Sequence, residues 1–261
     1  MTRGVSTSVS GEHVVHLGAS DNGLTGHKPP ALEPTAIATS ILFRGLQPGA
    51  VVDIAHAGRI KRVSKGSMVF EQGATADRLF VLLQGRVKAI QSTSDGQQVT
   101  ARFLKPGDPF GCVVLMAAGT YPVSALAEVD SLVASWSATL MLRFAQQYPQ
   151  IAMNALQYVG AQLRDTQIRF QEAITEHIEQ RIAHALLRLV GQSGRKCEEG
   201  IEINFPISRQ DIAEITGSRL FTVSRTLSKW QLNGIIKSGR RRIIVVAPHR
   251  LVMIAEKCPT D

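Results

Sequence analysis

The stretch ISRQDIAEITGSRLFTVSRTLSKWQLNGII, residues 207–236, decides how this chain is read. Ser208-Arg209-Gln210-Asp211 fits a capping box. In that motif a hydroxyl and an acidic side chain three residues on satisfy each other's free backbone N–H groups, so a helix starts there. Ile212 and Ile215 turn inward, and Ala213 is small enough for a second helix to cross closely. Gly217 supplies the tight turn. Ser218 is placed to cap the second helix, in which Val223, Leu227 and Trp230 form the buried stripe. Its outward side then presents Arg219, Phe221, Thr222, Ser224, Arg225 and Lys229. A bracing helix followed by one with a basic outer face is the plan of a helix-turn-helix, whose second helix enters the DNA major groove. Beyond it GIIKSGRRRIIVVA, residues 234–247, reads as strand, basic turn, strand: a wing with Arg240, Arg241 and Arg242 at its tip.

The charge agrees with this reading. The 261-residue chain carries 29 Lys and Arg against 21 Asp and Glu, and between Phe205 and Arg250 nine basic residues face two acids, Asp211 and Glu214. So concentrated a basic field recruits polyanions and makes binding salt-dependent. Two ordinary packed helices would explain the apolar spacing but not the charge. An acidic membrane surface is the competing partner, but the basic amphipathic helix with an aromatic face that it calls for is missing. No apolar run approaches the roughly 18 residues that span a bilayer, and residues 1–20 lack the apolar core of a signal peptide. Cys112, Cys197 and Cys258 are far apart and odd in number, which argues against a disulfide framework and for a cytoplasmic protein. There is no P-loop, nucleophile elbow, zinc motif or pair of catalytic carboxylates, so the chain does not read as an enzyme. His13, His16 and His27 are scattered in a polar segment and are read as solvated, with no metal site.

Upstream, residues 1–36 are rich in Ser, Thr and Gly without periodicity and read as a disordered tail. The sensor segment, 37–145, holds short apolar runs: SMVFEQG, RLFVLLQGRVKAI, QQVTARFL and SLVASW, separated by glycines at 66, 73, 85, 96, 107 and 111. SDGQQ, residues 94–98, is a hairpin signal. Short strands with regular turns imply a β-barrel or roll. Residues 146–178 read as a long helix, in which Leu156, Val159, Leu163, Thr166, Phe170 and Ile174 recur at three- and four-residue steps. A helix of about 40 Å is longer than a small barrel needs, so this seam is read as a self-association surface, with Leu156, Val159, Leu163, Phe170 and Ile174 at the dimer contact. GQSGRKCEEG, residues 191–200, is a loop, and residues 179–255 form the winged helix-turn-helix. The fold class is α+β.

With barrel, long helix and winged helix-turn-helix in that order, residues 41–255 resemble the Crp–Fnr superfamily of bacterial transcription regulators. RQDIAEITG followed by TVSR is the most specific signature, and VFEQG with LQGRV is typical of the family's sensor. The resemblance implies a homodimer that binds double-stranded DNA at a pseudo-palindromic operator and contacts RNA polymerase. It implies that Arg225 reads guanine, where a guanidinium fork suits O6 and N7. Ser224 falls at the serine of the Fnr-like branch. Arg209, Gln210 and Thr222 fall at phosphate-contacting positions, and Arg219 with the wing turn is expected to join them. One position departs from the family: Phe221 stands where both best-known branches carry a glutamate, so a carboxylate that would accept from cytosine is gone and a thymine methyl becomes the natural partner.

The sensor resembles a cyclic-nucleotide-binding domain, yet its cassette, FGCVVLMAAGTYPVSALAEV, has Cys112 and Val123 where the family has glutamate and arginine. Only Gly111 and the Ser124-Ala125 pair remain, so cAMP is not the expected ligand. An iron–sulfur cluster needs about four thiolates and is not expected either. Haem or nitric oxide stays open, with His56, His177 or Cys112 as an axial haem ligand, as does a redox switch at Cys112, which reads as buried and inert, or at the more exposed Cys197, or no effector at all. The alternative to a DNA regulator is a cyclic-nucleotide-like regulatory scaffold that does not read DNA.

Overall fold

A computed structural model of the chain describes residues 32–93, 98–116 and 119–257. Residues 1–31, with the three tail histidines, lie outside it. The expected tail is too long by a few residues. Leu32 is buried, and helix α1 (Pro34–Ala38), a 3-10 turn (Ile41–Phe43) and α2 (Pro48–Ala57) follow it. Ile37, Leu42, Phe43 and Ile54 pack with Leu79, Val81 and Trp136 in one core, so the sensor begins with helices rather than strands.

Eight strands come next: β1 (Arg59–Val63), β2 (Met68–Phe70), β3 (Arg78–Gln84), β4 (Val87–Ser92), β5 (Gln98–Leu104), β6 (Pro109–Phe110), β7 (Ser124–Ala127) and β8 (Ser131–Ser137). They form two four-stranded sheets, ordered β1-β8-β3-β6 and β2-β7-β4-β5, with every pairing antiparallel. Residues 94–97 of the expected SDGQQ turn lie outside the described residues, but Ser92 pairs with Gln98 across it. Successive side chains of a strand point to opposite faces. Leu79 and Val81 of β3 therefore enter the helical core, while Phe80 and Leu82 enter a second core between the sheets. That is why LFVLL is apolar throughout instead of alternating.

Helix α3 (Ala138–Gln147) leads to α4 (Pro149–Thr175), 27 residues long and shorter at both ends than the expected span. Proline sits at its first turn, where its missing N–H costs nothing. One face of α4 lies on the sensor: Ile151, Ala155 and Tyr158 are buried, and the Asn154 amide donates to the carbonyls of Leu42 (3.0 Å) and Arg44 (2.8 Å).

The C-terminal part contains α5 (Ile178–Ser193), β9 (Gly194–Cys197), β10 (Gly200–Ile203), α6 (Arg209–Thr216), α7 (Leu220–Leu232), β11 (Ile236–Gly239), β12 (Arg242–Val245) and α8 (Pro248–Ala255). Residues 191–200 are not a loop: α5 runs on to Ser193, and β9 pairs with β10 as a hairpin that extends the wing sheet to the order β11-β12-β10-β9. The β-branched and apolar residues that complete this sheet lie in β10 and β12, outside the window in which GRKCEEG looks polar. Ile182, Leu186, Ile212, Val223, Leu227, Trp230, Ile243 and Leu251 make the core beneath.

Candidate nucleic-acid interface

The opening segment folds as its chemistry dictates. The Ser208 hydroxyl accepts from the Asp211 N–H (3.1 Å), and the Asp211 carboxylate accepts from the Ser208 N–H (2.8 Å) and hydroxyl (2.6 Å), closing the capping box. Gly217 ends α6 in the left-handed conformation at φ 59°, which glycine adopts without steric cost. Ser218 does not cap α7. The N-cap is Arg219, and the Ser218 hydroxyl turns back to Thr216, donating to its carbonyl (3.2 Å) and accepting from its hydroxyl (2.9 Å). Val223, Leu227 and Trp230 are fully buried, which fixes the rotation of α7 about its axis.

That rotation leaves Arg219, Phe221, Arg225 and Lys229 exposed and Thr222 and Ser224 half-buried. Arg219 and Arg225 have no ion pair and no side-chain hydrogen bond within the described residues, and neither have Arg240 and Arg241 in the two-residue wing turn. Arg241 sits at φ 57°, and its carbonyl accepts from the Ile207 N–H at 3.0 Å, tying the wing to the start of α6. Phe221 is 76 % exposed, an aromatic ring held in water beside free guanidinium groups.

Other expected contacts are engaged within the chain. Arg209 donates to the Ser224 carbonyl (3.2 Å) and the Ser228 hydroxyl (3.1 Å), bracing α6 against α7. Gln210 donates to Glu214 (3.2 Å), and Lys229 pairs with Glu179 of α5 (3.2 Å). Arg242 is drawn off the wing tip by Glu202 (2.6 Å), which also holds Arg195 (3.0 Å), so it is paired between the central strands β12 and β10 rather than a free cation.

Sequence reasoning missed the role of the two acids in this basic segment. Asp211 and Glu214 point away from the exposed face of α7 into the sensor, where Lys88 of β4 lies 3.2 Å from Asp211 and 2.6 Å from Glu214. Thr100 of β5 donates to Glu214 at 3.0 Å. Burial by itself would lower the Lys88 ammonium, but the Glu214 hydrogen bond and the two negative charges outweigh it and hold the group above the ordinary lysine range. Burial would raise Asp211, but the Ser208 hydrogen bonds and Lys88 bring it below the ordinary aspartate range. Beside them the Arg86 guanidinium lies 4.3 Å over the Phe205 ring, and Phe103 packs on Phe205 at 5.4 Å. A lysine within the buried run Val87–Ile90 was the available signal, because a buried charge has to be paired.

Aromatic rings pack beside the sensor cassette. Tyr121 stacks on Phe70 with ring centroids 3.8 Å apart, and Phe80 stacks on Phe110 at 5.2 Å. The Tyr121 hydroxyl donates to the Arg78 carbonyl at 2.7 Å. At Gly111, φ is 72° and a Cβ would stand 2.9 Å from that same carbonyl. The buried Ser124 hydroxyl accepts from the Gln72 N–H at 2.9 Å, and Ala125 is buried too. Cys112 is buried, and burial pushes its thiol up to about 11. His56, at the end of α2, and His177, at the start of α5, are exposed.

A β-roll, a long helix and a winged helix-turn-helix, in that order, define a class of DNA-binding regulators with an attached sensor. Residues 60–148 match the cyclic nucleotide-binding domain family and residues 180–254 the Crp-like helix-turn-helix domain family. The cyclic AMP receptor protein of Thermus thermophilus is 28% identical over 201 residues, 77% of this chain and 89% of that protein. The CRP-like cAMP-activated global transcriptional regulator of Mycobacterium tuberculosis is 22% identical over 215 residues, 82% and 96% of the two chains. The structure of FixK2 from Bradyrhizobium japonicum aligns with a TM-score of 0.67 at 24% identity, over 76% of this chain and 96% of that one. The chain belongs to the Crp–Fnr superfamily of transcription regulators. Within the described residues, no helix is long and apolar enough to cross a membrane.

Proposed function

We propose that this regulator is a cytoplasmic homodimer that seats α7 of each protomer in a major groove of a pseudo-palindromic operator, contacts RNA polymerase there, and answers to an effector other than cAMP. The observation that carries the reading is Arg225. It is an exposed, unpaired guanidinium on the outward side of a helix whose inward side is locked by Val223, Leu227 and Trp230. A free planar fork in that place suits bidentate contact with guanine, while Arg219, Arg240 and Arg241 suit phosphates.

Dimerisation is supported by α4. Met153, Leu156, Leu163, Phe170 and Ile174 are all more than half exposed, a stripe whose spacing is that of a heptad seam. Val159, partly buried, packs against the protomer's own sensor core, and we leave it out of the proposed seam. Covering so much apolar surface with the same stripe of a second copy is favourable.

The name of the M. tuberculosis relative ties it to cAMP. In this chain a buried cyclic phosphate would meet Val123 in place of an arginine. Three cysteines in separate parts of the sequence fall short of the thiolates of an iron–sulfur cluster. Haem gains no support from a thiol held protonated or from two exposed histidines at helix ends.

The test is selection from a randomised palindromic DNA pool with purified, reduced protein. The expected result is a symmetric consensus that loses one guanine preference in Arg225→Ala. A pool recovered with no consensus would leave a regulatory scaffold that does not read DNA.

A further inference from the structure

A cavity of about 500 Å³ opens where β5, α4 and the C-terminal part meet. Its volume is that of a small-molecule site. The cassette residues Gly111, Cys112, Ser124 and Ala125 do not line it, so it is separate from the place where a cyclic-nucleotide domain holds its ligand. Its wall is cationic: Arg86, Arg102 and Lys105 come from the sensor, Arg169 from α4 and Arg188 from α5, against the carboxylates of Asp108 and Asp165.

Two of these cations each hold one carboxylate through a single guanidinium nitrogen, which leaves their other N–H donors available. Glu128 holds Arg86 at 2.7 Å and Glu172 holds Arg188 at 2.5 Å. Arg102, Lys105 and Arg169 have no carboxylate within ion-pair distance among the described residues. Arg102 donates to the Tyr158 hydroxyl and, at 3.4 Å, to the Pro109 carbonyl, while Arg169 donates to the Ala101 carbonyl. A guanidinium carries five N–H donors, so most of theirs remain free. Asp108 offsets Arg102 only in part, since it accepts the Lys105 N–H (3.0 Å) and burial pushes its carboxyl above the ordinary range. Arg169 is held below the ordinary arginine range, first by burial and then by the neighbouring charge of Arg188. Like charges from two parts of the chain thus face one gap, an arrangement that an anion placed between them relieves.

The chemistry of that anion follows from the geometry. A carboxylate serves one guanidinium fork, whereas a phosphoryl group offers oxygens in several directions. Three cations converging from a strand, a helix and the next helix suit the second. The aromatic walls of Phe103, Phe205 and Tyr158 offer apolar area to a larger attached group. We propose that this cleft binds a phosphorylated small molecule carrying at least two phosphoryl charges, bridging Arg102, Arg169 and Arg188, and that occupancy holds the helix-turn-helix against the sensor.

The experiment is calorimetric titration of the full-length, DNA-free protein with inorganic tripolyphosphate and, separately, with ATP. Arg169→Gln, the rim variant Lys105→Gln and the wing pair Arg240→Gln/Arg241→Gln are titrated alongside. The expected result is one site per chain, weakened by at least about tenfold in Arg169→Gln, less in Lys105→Gln, and unchanged in the wing pair. Tighter binding of ATP than of tripolyphosphate would assign the aromatic wall to a nucleoside, and equal binding would assign the site to the phosphates alone. Either ligand should also raise the melting temperature of the wild type but not of Arg169→Gln. If Arg169→Gln does not fold, Lys105→Gln and the melting shift carry the test. Absence of saturable binding, or loss of binding only in the wing pair, overturns the proposal. Because no DNA is present, failure here leaves the proposed operator reading untouched, and failure to select an operator leaves the cleft untouched.

Discussion

The Lys88 ammonium of the sensor lies 2.6 Å from the Glu214 carboxylate of the helix-turn-helix, with the Asp211 carboxylate 3.2 Å away on the same helix. All three side chains are nearly withdrawn from solvent, at 8%, 13% and 10% exposure respectively. One lysine therefore joins the sensing and reading parts of the chain through the first helix of the reader. The two acids that dilute the basic segment are engaged in this contact, and α7 itself carries no acidic side chain.

Lys88→Met should loosen this docking. It strands two buried carboxylates, a loss of about 3–5 kcal/mol for a buried pair broken from one side. Scanning calorimetry is expected to resolve one transition in the wild type and two in the variant, as sensor and reader separate. A single transition at an unchanged temperature would mean that apolar packing around Phe205 couples them unaided.

The same contact sets a pH window. Asp211 is depressed below its ordinary value of 3.8, so its contribution is complete above pH 3.8 and fades as pH falls through the lower folded value. Lys88 is raised above its ordinary value of 10.5, so its contribution is complete below pH 10.5 and fades as pH rises through the higher folded value. The stability difference between wild type and Lys88→Met, measured by urea unfolding, should be flat across neutral pH and shrink in acid. A difference that changes steeply between pH 6 and 8, the histidine range, would implicate a group outside this cluster.

Arg225→Ala should weaken specific DNA binding by about 1–3 kcal/mol and relax preference at one base pair. Arg241→Gln should weaken all sequences alike and lower the salt slope by about one. Equilibrium binding on variant operators at several salt concentrations separates the two outcomes. Uniform loss in Arg225→Ala would move it to the phosphate class.

On α4, Leu163→Asp should raise the dimer dissociation constant at least about a hundredfold, because two charges enter the apolar seam. Val159→Ala should instead lower stability by on the order of 1 kcal/mol and leave association unchanged, because Val159 packs against the sensor core. Sedimentation equilibrium reads the first and thermal melting the second. Equal effects on association would put Val159 back in the seam.

Cys112 should resist alkylation in the native protein. With its thiol at about 11, only about one molecule in a thousand carries the thiolate at pH 8. Cys197, half-buried with its sulfur 3.4 Å from the Gly200 carbonyl, is expected to label before Cys112. Rapid labelling of Cys112, located by mass spectrometry, would reopen the redox switch.

What the sequence determined by itself is whatever the backbone decides within a few residues. The capping box at Ser208–Asp211, the tight turn at Gly217, the buried stripe of α7 and a basic wing turn were all legible, because hydrogen bonding and helical period act locally, whereas Arg242, expected in that turn, lies in β12. Periodicity also placed a long amphipathic helix at α4, but not which stripe faced which neighbour. Val159 and Leu156 are both apolar, and only the seating of Asn154 and Tyr158 on the sensor turns the first inward and leaves the second in water. The failed Ser218 cap has a similar origin, since its hydroxyl finds Thr216 first. Tertiary structure alone decided the rest: β9 as a strand, Arg242 bound to Glu202, Lys88 bound to a helix 123 residues away, and Arg102, Arg169 and Arg188 around one cleft. A one-dimensional pattern cannot encode these, because each pairing depends on where chain closure brings two distant charges, and a charge reads the same in sequence whether its partner is a residue or water.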